Sequence, residues 1–172
     1  MSNSQYWIDQ LNLIKHPEGG YYRETYRSPE KINIAEPAIA NAVKKERDLA
    51  SSIYFLLPSD EVSCFHRLKS DELWYYHAGS ALTIYIIDAN GALNQIGLGL
   101  NVVQGELPQV LVPRGSIFGA MVNQTASYTL IGCMVAPGFD FHDFELLERK
   151  TLLENYPEHQ VIIKRLTSEQ KL

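Results

Sequence analysis

The stretch Phe65-His66-Arg67-Leu68-Lys69-Ser70-Asp71-Glu72-Leu73-Trp74-Tyr75-Tyr76-His77-Ala78-Gly79 joins two strand-like runs through a polar turn. The turn is Lys69-Ser70-Asp71, and the runs beside it are rich in the aromatic and aliphatic residues that are typical of β-strands. His66 comes just before the turn and Glu72 directly follows it. These two residues are the centre of the predicted functional site.

Short strands separated by turns continue along the chain on both sides of this stretch. Strand-like runs occur at 51–57, 62–68, 72–77, 81–88, 92–98, 109–112, 117–122 and 128–135. Sequences such as Ala89-Asn90-Gly91 and Pro113-Arg114-Gly115 between them are typical of tight turns. Closely spaced strands without intervening helices predict a sandwich or a closed barrel, and not a parallel α/β sheet.

Helices are predicted at both ends of the chain. In the segment from Ser4 to Ile14, Trp7, Leu11 and Ile14 have the spacing of one helix face, and Ser4 can serve as the N-cap. Two further helical stretches are predicted at about 149–155 and 158–166, with Pro157 as the first residue of the second.

No repeat or linker divides the sequence, so residues 1–172 are expected to form one domain with a barrel at about 20–147 and C-terminal helices at about 149–166. The segment from Ser28 to Ala50 is interrupted by Pro29 and Pro37. It is interpreted as a connection that contains a strand or one helical turn.

Composition excludes several classes of function. The net charge of -5 argues against binding to a nucleic-acid backbone. Residues 1–10 lack the pattern of a secretory signal, and the apolar runs are much shorter than the roughly 20 residues that span a bilayer. A cytoplasmic protein with no membrane partner is therefore expected.

Cys64 and Cys133 are predicted to be buried thiols, because neither has a partner at metal-ligand spacing.

The quoted stretch resembles the first motif of the cupin superfamily, which is His, any residue, His, three or four residues, Glu, six residues and Gly. His66, Glu72 and Gly79 fall on this pattern, while Leu68 stands at the second histidine. The second cupin motif runs Pro, any residue, Gly, two residues and His. Residues 113–118 match it until the histidine, which is Phe118.

The whole chain, from about residue 16 to residue 147, further resembles an uncharacterised cupin family described as predicted sugar epimerases. The resemblance rests on residues 16–21, 53–57 and 135–141. It implies a double-stranded β-helix, an all-β jelly roll whose open end admits a small ligand, usually assembled as a homodimer. In that geometry the face with His66 and the face with Glu72, Trp74 and Tyr76 both line the barrel interior.

The missing motif histidines predict that no metal ion is tightly bound. A cupin metal site needs at least three converging ligands, and only His66 and Glu72 remain at motif positions. They are weak metal candidates, for which His16, His77, His142 or a carboxylate would have to supply a third ligand. No cofactor is predicted.

An acid–base site is the alternative that the resemblance implies. Cupin sugar epimerases use a histidine assisted by an aspartate as base and a tyrosine as acid. By resemblance, His66 is the base, Asp140 or Glu72 orients it, and Tyr76 or Tyr54 is the acid. A buried His66–Glu72 pair that only stabilises the barrel is an equally weighted interpretation.

The predicted ligand-binding residues are Tyr54, Trp74, Phe118 and Arg23. Aromatic faces with polar tips suit a sugar or another ring compound, although core packing is the commoner role for any single tyrosine. Arg23 can bind a phosphate or carboxylate group, although a solvated charge is the commoner role for such a residue. The expected partners are therefore a small molecule, such as a sugar or nucleotide sugar, and a second copy of the chain.

Three functions follow in order of preference. The first is a metal-independent sugar epimerase or isomerase with a histidine base inside the barrel. The second is a non-catalytic cupin that binds a small ligand, because a fold alone does not establish chemistry. The third is a metal-dependent cupin enzyme.

Overall fold

The computed structural model describes residues 3–34 and 45–168. The helices are α1 (Asn3–Gln10), α2 (Arg149–Asn155) and α3 (Gln160–Arg165). The strands are β1 (Ile14–Lys15), β2 (Tyr21–Arg27), β3 (Lys31–Ile34), β4 (Lys45–Asp48), β5 (Ser51–Pro58), β6 (Ser63–Arg67), β7 (Asp71–Gly79), β8 (Leu82–Ile87), β9 (Leu93–Leu98), β10 (Gln109–Val112), β11 (Ile117–Val122), β12 (Tyr128–Ala136) and β13 (Glu145–Leu146). Single turns of 3-10 helix lie at Val102–Gln104, Phe141–Asp143 and Pro157–His159.

The strands form two large antiparallel sheets. One sheet has six strands in the order β1-β2-β5-β12-β7-β10, and the other has five in the order β13-β6-β11-β8-β9. Neighbours in space are mostly distant in sequence, which is the arrangement of a jelly roll. The predicted all-β jelly roll is confirmed, including its short terminal helices.

Side-chain alternation along the strands produces three apolar layers. The main core lies between the two sheets and contains Phe55, Trp74, Phe118 and Ile131. Fully burying such a side chain contributes about 2 kcal/mol to stability. Smaller clusters join α1 to the outer face of the six-stranded sheet and join α2 and α3 to the outer face of the five-stranded sheet.

The N-terminal helix is shorter than the sequence pattern predicts. It ends at Gln10, and Asn12 adopts a left-handed conformation with φ of 51°, which a helix cannot continue through. Ile14 therefore starts β1 and is exposed, although the helical spacing predicts that it is buried. This part of the prediction is wrong, because the periodicity continued beyond the residue at which the backbone turns.

The segment between β2 and β5 contains two strands, β3 and β4, which form a separate hairpin. The strand expected there is thus present, and residues 35–44 lie outside the described residues. In the described parts of the chain, no helix is long and apolar enough to cross a membrane.

Candidate active site

A cavity of about 720 Å³ opens between the two sheets. Its inner end is lined by buried titratable side chains, and its mouth carries the more exposed charged ones. The lining side chains on which the site depends are His16, Glu18, Tyr22, Glu24, Arg27, Lys31, Glu46, Arg47, Asp48, Phe55, His66, Glu72, Trp74, Cys133, Phe139, Asp140, Phe141, His142 and Phe144. The volume is in the range of small-molecule sites.

His66 is almost fully buried on the inner face of β6, and both of its ring nitrogens lie close to protein acceptors. Nδ1 is 2.8 Å from the carbonyl oxygen of Cys64, and Nε2 is 3.2 Å from Oε2 of Glu18. Because the Cys64 carbonyl can only accept, Nδ1 carries a proton. Burial lowers the pKa of His66, and the Cys64 carbonyl and the Glu72 carboxyl group oppose that effect.

Glu18 is the carboxyl group that holds His66. Its Oε2 contacts His66, and its Oε1 accepts a hydrogen bond of 2.8 Å from the Ser63 hydroxyl group. Burial raises the pKa of Glu18, which His16 and Ser63 partly oppose. Since His66 already has its proton on Nδ1, the contact between Nε2 and Oε2 needs one additional proton on either atom.

His16 is the third member of this array, and its Nδ1 is 3.4 Å from Oε2 of Glu18. The same nitrogen accepts a long hydrogen bond from the backbone N–H of Glu18, so neutral His16 carries its proton on Nε2. Within the described residues, Nε2 of His16 has no hydrogen-bond partner. Burial lowers the pKa of His16 against the opposing effect of Glu18, and His66 lowers it further.

The glycine pair that follows Glu18 sets the position of this array. Gly19 has φ of 110° and Gly20 has φ of 70°, values that L side chains rarely adopt. A β-carbon on Gly19 would also overlap the carbonyl oxygen of Val62. This sharp turn places Glu18 beneath β6 before the chain enters β2.

Glu72 is the second buried carboxyl group of the cavity, and it lies on the inner face of β7 beside Trp74. Among the described residues, its Oε2 and the Trp74 Nε1 are buried without a hydrogen-bond partner. Burial raises the pKa of Glu72 to about 7, although His66, Trp74 and Cys133 act in the opposite direction. Near neutral pH, this carboxyl group therefore exists in both protonation states.

The mouth of the cavity is built from β2, the β3–β4 hairpin and the 3-10 turn at Phe141–Asp143. Arg27 donates to Glu24, to Asp48 and to the carbonyl oxygen of Phe139. Phe141 is 54% exposed here and packs edge-on against Phe139 with ring centroids 5.0 Å apart. The rim is thus partly aromatic and partly an ion-pair network.

The structure brings only some of the predicted site residues together. His66, Glu72 and Trp74 line the same cavity, and Asp140 lies at its mouth. Phe118 is buried behind His66, with ring centroids 4.1 Å apart, and packs against the imidazole.

Asp140 does not orient His66. Its Oδ1 caps the 3-10 turn by accepting from the backbone N–H of His142, and it lies 2.7 Å from Nδ1 of the His142 ring. Asp140 thus contacts His142, its near neighbour in sequence. The carboxyl group beside His66 is that of Glu18. The sequence offered one signal for Glu18, its place within the motif of residues 16–21.

The three other predicted residues lie outside the cavity. Tyr54 and Arg23 pair in register on β5 and β2, and strand alternation turns both to the outer face, where Tyr54 packs near α1. Tyr76 is on the inner side of β7 but lies farther along the strand, and its hydroxyl group donates to the Gly79 carbonyl at 2.5 Å. These placements correct the expectation that all three side chains line the site.

Comparison with known proteins decides the family. The model of a family described as Cupin superfamily (DUF985) matches residues 5–147. The chain belongs to this cupin family. It is also similar to the uncharacterized protein YML079W of Saccharomyces cerevisiae, with 29% identity over 161 residues that cover 90% of this chain and 80% of the yeast protein.

The chain is also similar to several solved structures. Protein SO0799 from Shewanella oneidensis is 47% identical, with a TM-score of 0.86 and coverage of 99% of this chain and 100% of that one. A hypothetical protein from Leishmania major is 38% identical, with a TM-score of 0.86 and coverage of 96% and 98%. Oxalate decarboxylase from Bacillus subtilis shares the fold alone, at 16% identity and a TM-score of 0.54 over 91% of this chain and 38% of the decarboxylase.

The residues at the cupin metal-ligand positions do not fit a metal ion. Leu68 and Phe118 have no donor atoms, and both are buried in the main core, where the Phe118 ring packs on His66. In the ranges that the structure describes, no group of three or more His, Cys, Asp or Glu side chains is arranged to hold a metal. The cavity instead contains Glu18 in contact with His16 and His66, and Glu72 lines the same cavity.

Proposed function

We propose that this cupin is a metal-independent isomerase or epimerase that moves a proton on a small carbonyl compound, such as a sugar. The observation that carries the proposal is the Glu72 carboxyl group. It is buried, has a pKa of about 7, lines the cavity and, within the described residues, leaves Oε2 without a partner. A group poised near the working pH is suited to both taking and returning a proton.

The proposed step uses two groups that face one cavity. Ionised Glu72 takes the proton from the carbon beside the carbonyl, and the electron pair of that C–H bond forms an enol. The carbonyl oxygen receives a proton from Nε2 of His16, the ring nitrogen that carries the proton in the neutral form. For isomerisation, Glu72 returns the proton to the former carbonyl carbon while the neighbouring hydroxyl group of the enediol gives its proton to Nε2 of His16. For epimerisation, the enol turns its other face to Glu72 and receives the proton on the original carbon.

Glu18 and His66 supply the proton that keeps His16 neutral during this step. As Nε2 of His16 gives up its proton, Nδ1 of the same ring takes the additional proton from Oε2 of Glu18, which lies 3.4 Å away, so His16 stays neutral. The pair of Glu18 and His66 is left with one proton fewer until the proton returns by the same route. His66 was the predicted base, but both of its nitrogens lie within hydrogen-bond distance of protein atoms. In this proposal it acts through Glu18.

The test is hydrogen–deuterium exchange at the carbon beside the carbonyl, after a thermal-shift screen of aldoses, ketoses and related carbonyl compounds. Glu72→Gln and His16→Asn are expected to abolish exchange while ligand binding changes little, because both substitutes keep hydrogen bonding but cannot transfer the proton. His66→Asn is expected to retain binding and to slow exchange. His77→Asn, an exposed histidine on the outer face of β7 beside Tyr54, is the matched control and is expected to leave exchange unchanged.

A non-catalytic ligand-binding cupin is the second candidate. The observation in its favour is that Glu18 and His66 have hydrogen-bond partners within the protein, as in a network that only stabilises a fold. A tight ligand that shows no exchange and no turnover with wild-type protein would favour this candidate.

The proposal also places the protein in the cytoplasm as a homodimer. The homodimer rests on the family resemblance of the sequence.

A further inference from the structure

The charge and pairing of the side chains around the cavity restrict the kind of ligand that it accepts. Six carboxyl groups line it among the described residues, namely Glu18, Glu24, Glu46, Asp48, Glu72 and Asp140. Among the same described residues, three cationic side chains line it, namely Arg27, Lys31 and Arg47. Even when the two inner carboxyl groups are protonated, four acidic groups in this described set face three cationic ones.

Arg27 lines the mouth of the cavity, where it could bind an anionic ligand, but its guanidinium group is already paired with carboxylates of the chain. Its Nε is 3.0 Å from Oε1 of Glu24, one terminal nitrogen is 2.6 Å from Oε2 of Glu24, and the other is 2.7 Å from Asp48. The guanidinium N–H groups with which an arginine can bind a phosphate are therefore already hydrogen-bonded to carboxylates of the chain itself.

The other two cations are also paired. Arg47 is buried, with one terminal nitrogen bound to Asp143 and the other to the carbonyl oxygen of Gly138. Lys31 binds Glu46 at 3.0 Å on the β3–β4 hairpin. A phosphate group entering the cavity would have to displace one of these carboxylates or remain beside uncompensated negative charge.

The uncharged surfaces of the cavity favour a ring compound. Tyr22, Phe55 and Trp74 line its inner part, and Phe139, Phe141 and Phe144 line the side near the mouth. Aromatic faces pack well against the C–H faces of a ring. The unpartnered Oε2 of buried Glu72 adds a polar group suited to a hydroxyl or carbonyl oxygen.

We propose that the ligand is an uncharged ring compound with hydroxyl and carbonyl groups, and that phosphorylated sugars and nucleotide sugars are excluded. This inference rests on the proposed function, because it describes the substrate of the same site. It narrows the ligand class to free sugars and their uncharged relatives.

The experiment uses titration calorimetry at low salt to compare the affinities of ligands that differ only in a phosphate group. Glucose, fructose and ribulose are each paired with their monophosphate esters, and UDP-glucose is added. At least one free sugar is expected to bind, about tenfold or more tightly than its phosphate ester, since ester and carboxylates repel each other. A phosphate ester or UDP-glucose that binds as tightly as a free sugar would overturn the inference, as would the failure of every free sugar to bind.

Two variants connect the preference to Arg27. Glu24→Gln removes one of the carboxylates that pair with Arg27. The difference in binding affinity between a free sugar and its phosphate ester is therefore expected to become smaller. Glu145→Gln is the matched control, because it removes the carboxylate that pairs with Arg67 in an exposed ion pair outside the cavity. An equal effect of both variants would contradict the assignment to Arg27.

Deuterium exchange on the bound compounds separates this inference from the proposed function. A free sugar that binds without exchange supports the ligand class and contradicts the catalytic proposal. Exchange on a phosphate ester alone supports the catalytic proposal and contradicts the ligand class.

Discussion

Oε2 of Glu18 lies 3.2 Å from Nε2 of His66 and 3.4 Å from Nδ1 of His16, so one buried carboxyl group joins two histidines. Neither histidine has another carboxylate within ion-pair distance among the described residues. Removing Glu18 would therefore affect both at once, and its consequences can be measured without knowing the ligand.

Glu18→Ala is expected to lower the free energy of unfolding by about 3 kcal/mol, because it leaves a small void and removes the partner of His66 and Ser63. Glu18→Gln should cost less, since its amide can still donate to Nε2. Urea unfolding measures both. Glu154→Ala, an exposed change on α2, is the control and should stay within about 0.5 kcal/mol of wild type. An effect of Glu18→Ala no larger than that of the control would contradict the importance of the array.

Gly19→Ala is expected to destabilise the protein by more than about 2 kcal/mol, because the backbone φ of 110° is unfavourable for alanine and the new β-carbon would meet the Val62 carbonyl. Gly105→Ala is the matched control. Gly105 also has a positive φ, of 86°, but a β-carbon there would meet no atom within 4 Å. Thermal unfolding should show the larger loss at Gly19, and equal losses would mean that only backbone conformation matters.

Glu72→Gln should change how stability depends on pH. The folded protein raises the pKa of Glu72 from 4.5 to about 7, so the folded state binds more protons than the unfolded state between these values. This group therefore makes wild-type stability decrease as pH rises from about 4.5 to 7, by up to about 3 kcal/mol, and has no further effect above. The Glu72→Gln variant has no carboxyl group at this position, so its free energy of unfolding relative to wild type should increase from pH 4.5 to 7. Urea unfolding at a series of pH values measures this, and parallel plots of unfolding free energy against pH for the two proteins would contradict the raised pKa.

Purified protein is expected to contain well below one equivalent of iron, manganese, nickel or zinc, because Leu68 and Phe118 supply no donor atoms. Elemental analysis of protein that has never been exposed to a chelator measures this. Leu68→His combined with Phe118→His would restore the donor set of the motif and should increase metal content. Near-stoichiometric metal in wild type that is lost in Glu72→Gln would favour a metal-dependent enzyme.

A homodimer is expected in dilute buffer. β1 pairs with only Tyr21 and Tyr22 of β2, so the remainder of that strand has an edge that no described strand covers. Light scattering over a range of micromolar concentrations should give twice the chain mass of 19.5 kDa. A monodisperse monomer throughout the range would exclude the dimer.

Much of the fold followed from local sequence. The strands from β5 to β12 lie within one or two residues of the predicted runs, because alternation, turn residues and β-propensity act over a few neighbouring positions. Alternation placed Glu72 and Trp74 on one face and His66 on another, and the family resemblance implied that both faces line the barrel interior, where the structure has all three side chains. The helix predicted to reach Ile14 was too long, because periodicity alone does not reveal the left-handed turn at Asn12.

Only the tertiary structure decided which distant groups meet. Glu18 reaches His66 because the turn at Gly19 and Gly20 brings residues 16–18 beneath β6, and no local sequence pattern contains that approach. Tyr54 and Arg23 were assigned to the site by residue type, but the pairing of β2 with β5 turns both outward. The sequence by itself determined a jelly roll with a histidine and a glutamate inside it. The partners and protonation states of those residues depended on barrel closure, because burial and long-range contacts exist only once the two sheets have packed together.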